Sequence, residues 1–188
     1  MIDRKEQIMK IATVLFSENG YDKTSTRELA KAAELSIAGL YYFFQNKEEI
    51  LFSILDLALN KLFKSVHSAI NTDDNPQTNI TRIIDCMVIH VVENKMEIGL
   101  ISKESQQLSP EQLVIIRNKE RDVFVLIRNE IRRLNKEGCL KDFNLSLLTF
   151  ALLGMINYSH YWYDPKSQLS IKEFVAEATE LFFNGVLK

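Results

Sequence analysis

Cysteine, proline and glycine are all scarce in this 188-residue chain, at two, three and six residues. Cys86 and Cys139 lie far apart in no CxxC or Cys/His arrangement, so neither a disulfide framework nor a zinc site is expected, and buried thiols are the simpler reading. So few prolines and glycines leave little to interrupt regular structure. The apolar residues recur almost throughout at the 3.6-residue period, and no strand segment stands out, so the whole chain reads as helical. Long apolar runs are missing too: the richest stretch, residues 145–158, is broken by Ser146, Thr149 and Asn157. No basic segment leads into an apolar one, so neither a membrane span nor a secretory leader is expected and the location is expected to be cytoplasmic. An excess of positive charge is also absent. The net charge is -2, and acids slightly outnumber bases in the first fifty residues. Any grip on nucleic acid must therefore come from locally placed donors and not from a global field. Catalytic patterns are lacking: His67, His90 and His160 are widely separated, and there is no HExxH, nucleophile elbow or glycine-rich phosphate loop. No catalytic residue, metal site or cofactor is expected, and the chain is not read as an enzyme. What remains, 46% hydrophobic and 26% charged residues, is an ordinary globular composition with a sizeable core.

Capping signals divide the chain into about nine helices. The first covers residues 4–19, with Ile8, Ile11, Ala12, Leu15 and Phe16 on one stripe and Gly20 as its stop. A long fourth helix runs over residues 47–70 and carries Ile50, Leu51, Ile54, Leu55, Ala58, Leu62 and Val66. It ends in NTDDNPQTN, residues 71–79, the one clear linker. Further helices are expected over residues 80–94, 97–107, 110–138, 144–163 and 170–186. Ser109-Pro110 with Gln112 opens the seventh, and Ser170 with Glu173 the last.

Residues 24–51, TSTRELAKAAELSIAGLYYFFQNKEEIL, hold the most specific pattern. Ser25 and Glu28 form a capping box at the start of a second helix whose buried face is Leu29, Ala30 and Ala33. Glu34-Leu35 makes the turn, and Ser36 caps a two-turn third helix through Ile37, Ala38, Gly39, Leu40, Tyr41, Tyr42 and Phe43. Leu40 and Phe44, spaced i, i+4, anchor it inward, while the place of Phe43 stays open. Asn46 with Glu49 opens the fourth helix, and Lys47 occupies its first turn, where an acid would suit the helix dipole better. This is a helix-turn-helix, a unit that enters a DNA groove. Thr24, Thr26 and Lys47 are candidates for phosphate contacts, and Arg27 for a phosphate or a guanine edge. Ser36, Ile37, Ala38 and Gly39 form the groove-facing tip.

The eighth expected helix is apolar nearly all round, and the ninth carries more than one stripe through Phe174, Val175, Ala178, Leu181, Phe182 and Phe183. Burial against a second copy of the same pair is the simplest remedy. It gives a four-helix isologous interface and a two-fold homodimer, whose double-stranded operator should be roughly palindromic.

With IMKIATVLFSENGYDKTS, TRELAKAAELS and LYYFFQNKEEIL in this order and spacing, the chain resembles the TetR family of one-component transcriptional regulators. Two positions depart from the family pattern. Glu34 stands where glycine is common and is expected to take a left-handed conformation at some cost. Ile37 stands where a polar or basic residue is frequent, so base recognition there has to be apolar. The resemblance implies an N-terminal helix-turn-helix DNA-binding domain over residues 1–47 and a C-terminal helical ligand-binding and dimerisation domain over residues 48–188. It implies Tyr41 at a phosphate and Tyr42 at a base or the backbone. It also implies a small-molecule effector that fills a cavity in the second half and changes DNA affinity, with repression as the family default. The segment GMINYSHYWYDPKSQLSIKEFVAEATELFFNGV is similar to the branch that responds to fatty-acid and other acyl-CoA molecules. On that likeness Arg117, Arg121 and Arg128 are expected to receive the CoA phosphates, Met87, Phe124 and Met155 to line the acyl chain, and Asn157 to orient the ligand. His90, on an otherwise apolar helix, is either a satisfied interior residue or part of this lining. The alternatives are a helical enzyme, which would turn over a substrate without operator DNA, and a protein-binding adaptor, which would lack salt-dependent duplex affinity.

Overall fold

The structure, a computed structural model, describes residues 3–164, 166 and 169–188. Among these the regular structure is helical, apart from a single antiparallel bridge pairing Leu140 with Leu187. The helices are α1 (Arg4–Asn19), α2 (Thr26–Ala32), α3 (Ile37–Phe43), α4 (Lys47–Ala69), α5 (Pro76–Glu93), α6 (Lys95–Glu104), α7 (Pro110–Lys136), α8 (Leu145–Asn157), α9 (Ser159–Trp162) and α10 (Ile171–Val186). A 3-10 turn, Ser105–Gln107, follows α6. No helix among the described residues is long and apolar enough to cross a membrane.

Two elements differ from expectation. α5 begins four residues early, because Asn75 accepts the Thr78 amide through its side chain and Pro76 takes the first helical position, which needs no N–H. The linker shrinks accordingly. The expected eighth helix is broken after Asn157 into α8 and the one-turn α9. At the break Ser159 Oγ donates to the Ile156 carbonyl and His160 Nδ1 meets the Asn157 carbonyl, so side chains engage carbonyls that a continuing helix would offer to its amides. Pro165 of the WYDP segment lies outside the described residues.

The chain divides into two compact units. The first comprises the residues up to 59 together with 95–117. Its core joins Ile8, Ala12 and Phe16 of α1 to Leu29 and Ala30 of α2, Leu40 of α3, Phe44, and Ile50, Leu51 and Leu55 of α4, with Leu100 of α6 and Ile116 of α7 in the same cluster. The second comprises residues 60–94 and 118–188. There α5 packs on α8 and α10, and Ile83, Ile84, Met87, Ile127, Ile131, Leu152 and Ile156 are buried. A polar knot closes one end of this unit. Buried Asn79 donates to Glu130 and to the Asn71 carbonyl, and Arg133 bridges Glu130 to the carbonyls of Thr72 and Asp74.

Candidate nucleic-acid interface

The helix-turn-helix is fixed by short-range hydrogen bonds that its sequence announces. Ser25 Oγ accepts the Glu28 amide at 3.2 Å and Glu28 Oε2 accepts the Ser25 amide at 2.7 Å, closing the box. Those bonds hold the Glu28 carboxyl below its ordinary range. α2 ends in a Schellman motif: the Leu35 amide returns to the Ala30 carbonyl at 2.8 Å and the Glu34 amide to Lys31 at 3.1 Å. That geometry requires a left-handed residue, and Glu34 supplies it at φ +54°. Arg4 reaches from α1 and donates to the Ala33 carbonyl, so the same helix end is also capped by a cation.

Ser36 then caps α3 by accepting the Gly39 amide at 3.0 Å. A Cβ on Gly39 would stand 3.3 Å from that hydroxyl, so glycine leaves the cap its room. Leu40 and Phe44 are buried, and the opposite face is bare: Ile37 is 41% exposed, Tyr41 47% and Tyr42 84%. Ser36 and Ala38 are exposed as well, and Gly39 is half-buried. Phe43 is half-buried against the core and meets Tyr42 edge-on at 5.1 Å. The third helix thus presents a short tip of small, apolar and phenolic groups. Beside it Thr26 is half-buried at the first position of α2 and Arg27 is exposed.

Two expected phosphate contacts are placed otherwise. Thr24 is 1% exposed, and its hydroxyl donates to the Gly20 carbonyl at 2.9 Å, closing the end of α1 instead of facing solvent. Lys47 is half-buried. Its ammonium donates to the carbonyls of Tyr21 at 2.9 Å and Thr24 at 3.1 Å and sits 4.0 Å above the Tyr21 ring. The lysine therefore staples the start of α4 to the α1–α2 loop, which explains a cation in a first turn that would otherwise favour an acid.

The residues expected at an effector are spread along two units. Arg117 belongs to the first and is exposed; Met87, His90, Arg121, Phe124, Arg128, Met155 and Asn157 belong to the second. Met87 is fully buried and His90 nearly so. Burial, with Lys61 adding to it, pushes the His90 imidazole down to about 4, so the ring is neutral. Asn94 donates to the His90 carbonyl and lies 3.4 Å from its Nδ1. Arg121 is exposed, while Phe124, Met155 and Asn157 are half-buried. Phe124 and Arg128 do come together: the guanidinium lies 5.7 Å from the Phe124 ring centre, and that ring packs on Phe150 at 4.7 Å. Arg128 Nε is buried with no acceptor. Neither Arg4, which caps a helix 29 residues away, nor the pairing of Phe124 with Phe150 carries a signal in sequence.

Large apolar side chains stay uncovered on α8 and α10, with Leu147 and Phe150 each 62% and Leu181 68% exposed. Among the described residues no cluster of three His, Cys, Asp or Glu could hold a metal ion.

Comparison with known proteins agrees with this geometry. Residues 8–54 match the model for "Bacterial regulatory proteins, tetR family", and residues 73–186 match "Tetracyclin repressor-like, C-terminal domain". The chain is 25% identical over 189 residues to the HTH-type transcriptional regulator HbdR of Aromatoleum sp. (strain CIB), covering 98% of this chain and 81% of that protein. It superposes on the TetR family regulator PfmR of Thermus thermophilus with a TM-score of 0.88 at 29% identity, over 95% of this chain and 97% of PfmR. AibR in complex with isovaleryl coenzyme A and operator DNA shares the fold, with a TM-score of 0.88 at 23% identity over 96% and 98% of the two chains. With both halves matched by the family's models and the bare tip of α3 set on a capped helix-turn-helix, the chain belongs to the TetR family of DNA-binding transcriptional regulators.

Proposed function

We propose that the protein is a ligand-responsive repressor that binds a roughly palindromic operator as a homodimer in the cytoplasm and is released by a small-molecule effector of the acyl-CoA class. The observation that carries the DNA-binding part is the polarity of α3: Leu40 is buried while Tyr41 and Tyr42 on the same two turns are exposed. Tyr41, Thr26 and Arg27 then meet phosphates, Arg27 with a guanine edge also in reach, and Tyr42 meets a base or the backbone. Ser36, Ala38 and Gly39 let α3 approach the groove floor, and Ile37 meets a thymine methyl. Lys47 keeps the reading helices in register through its staple.

Dimerisation is supported by the open faces of α8 and α10, where Leu147, Phe150 and Leu181 each keep more than half of their surface exposed. The acyl-CoA reading draws on the similarity to AibR, whose structure holds isovaleryl coenzyme A. It draws also on Arg128, a half-buried guanidinium with a buried Nε that lacks an acceptor, set against an aromatic pair. Met87, Phe124 and Met155 supply apolar lining, His90 a neutral ring and Asn157 an amide, while Arg117 and Arg121 are exposed cations for the CoA phosphates. A ligand acts only by preferring one of two DNA-binding geometries.

Selection of bound duplexes from a random pool tests the first part: a two-fold symmetric motif is expected, with affinity falling in salt at a log-log slope of about -0.9 per neutralised phosphate. Absence of any enriched duplex removes the reading. Titration of the operator complex with acyl-CoAs of graded chain length tests the effector, and no release at any length ends that part.

A further inference from the structure

The start of α7 holds an unfinished capping box. Ser109 Oγ accepts the Gln112 amide at 3.3 Å, as an N-cap serine should. The reciprocal bond, from the Ser109 amide to the side chain at the third helical position, is missing. The Ser109 amide donates instead to Glu48 Oε1 of α4 at 3.0 Å, across 61 positions of chain. Gln112 Oε1 is left buried with no partner. The Ser109 amide thus goes to a carboxylate from another helix, while the side-chain oxygen at the position that would complete its own box goes without a donor. Nearby, Glu104 Oε1 accepts the Tyr21 amide at 3.4 Å, and Gln107 Nε2 donates to Asp22 at 3.2 Å. The α6–α7 corner is therefore held to the α1–α2 loop and to α4 by hydrogen bonds, and all of these residues lie in the first unit.

We propose that the Ser109 amide is the contact of a two-state latch: Glu48 accepts it when the start of α4 is docked on the α7 cap, and Gln112 accepts it when α4 withdraws. Each state forgoes one interaction that the other makes. Docked, the amide gains a charge-assisted bond and the Gln112 oxygen goes without a partner. Undocked, the box closes, the Gln112 oxygen is satisfied and the Glu48 carboxylate returns to water. Glu48 follows Lys47 directly behind the recognition helix, so the latch sets the position of the α3–α4 corner within its unit. Glu48 and Gln112 are positioning residues, and neither needs to touch DNA.

Amide hydrogen exchange at Ser109, followed by NMR on the full-length protein, tests the latch without DNA. In Glu48→Ala and in Gln112→Leu the amide should stay protected, because the remaining acceptor takes it. In the double variant its exchange should speed up by about tenfold or more. If Glu48→Ala alone exposes the amide as fully as the double variant, Gln112 is no alternative acceptor and the latch is overturned. The link to DNA reading rests on the function proposed above and is measured separately. Gln112→Leu removes the competing acceptor without changing charge, so operator affinity should tighten by about threefold, through less ordering on binding, at an unchanged salt slope. Equal or weaker operator binding by Gln112→Leu, with the wild type binding normally, would show that the latch does not position the reading helices. Failure of the wild type to bind any duplex would instead remove the DNA-binding reading and leave the exchange result standing.

Discussion

Glu34 has the one left-handed backbone among the described non-glycine residues, and it sits where the turn of the helix-turn-helix cannot do otherwise. The Schellman bonds at both of its flanks fix the conformation, and an L side chain there costs about 1–2 kcal/mol, partly offset by the greater chain entropy glycine would bring to the unfolded state. Glu34→Gly is therefore expected to stabilise the protein by about 0.5–1 kcal/mol, read as a raised urea midpoint at an unchanged slope. A lowered midpoint would mean that the Glu34 side chain contributes more than its backbone loses. His90 gives a second prediction at this scale. Its ring titrates near 4 in the folded chain because of burial and Lys61, whereas the unfolded chain takes the proton near 6.5. Between those values the unfolded state binds more protons, so stability is full above about 6.5 and falls as pH drops toward 4, by up to roughly 3 kcal/mol. His90→Gln should flatten the stability profile in that window, and an unchanged profile would assign the acid sensitivity elsewhere.

At the scale of the element, α3 divides between a buried anchor and an exposed face that is proposed to read DNA. Leu40 is buried and Tyr42 lies open, so their truncations should separate. Tyr42→Ala is expected to weaken operator binding about tenfold or more with the melting temperature unchanged, while Leu40→Ala should cost about 2–5 kcal/mol of stability whatever it does to DNA. A tyrosine truncation that melts the domain and spares binding would reverse these roles. The helix starts were legible in sequence because a cap is local: Ser25 with Glu28 and Ser170 with Glu173 are completed boxes. Both glutamates are held below their ordinary range by their serine partners. That contribution is present above their unfolded values and is lost as pH falls through the lowered ones. Ser109 with Gln112 looked the same in sequence and is different in the fold, since a third residue from far along the chain competes for one of the box's donors. The break after Asn157 was hidden for a related reason. Residues 145–163 keep their apolar content on both sides of it, and only hydroxyl and ring contacts to local carbonyls mark the place.

For the whole molecule, apolar surface remains to be covered. Leu147, Phe150 and Leu181 are exposed on helices whose other large apolar side chains are buried or half-buried, and a second copy presenting the same faces would remove them from water together. Leu181→Glu is expected to convert the proposed dimer to monomer, measured by sedimentation equilibrium, and to abolish operator binding while the helical circular dichroism remains. A variant that stays dimeric would move the interface to another face. The same change should leave Tyr42 as exposed as before, so lost DNA affinity would report lost two-fold geometry and not a damaged reader.

Sequence alone determined the helical class, the helix-turn-helix and its neighbours in order, the buried anchors Leu40 and Phe44, and the strained turn at Glu34. Each depends on residues within about one or two helical turns of one another, where spacing is a faithful record of contact. Tertiary structure decided which polar groups are free to act. It buried Thr24, drew Lys47 onto the Tyr21 and Thr24 carbonyls, neutralised His90 and left Arg128 Nε without an acceptor. A side chain's hydrogen-bonding capacity can be consumed by any backbone group the fold brings near, and a linear pattern holds no record of that encounter.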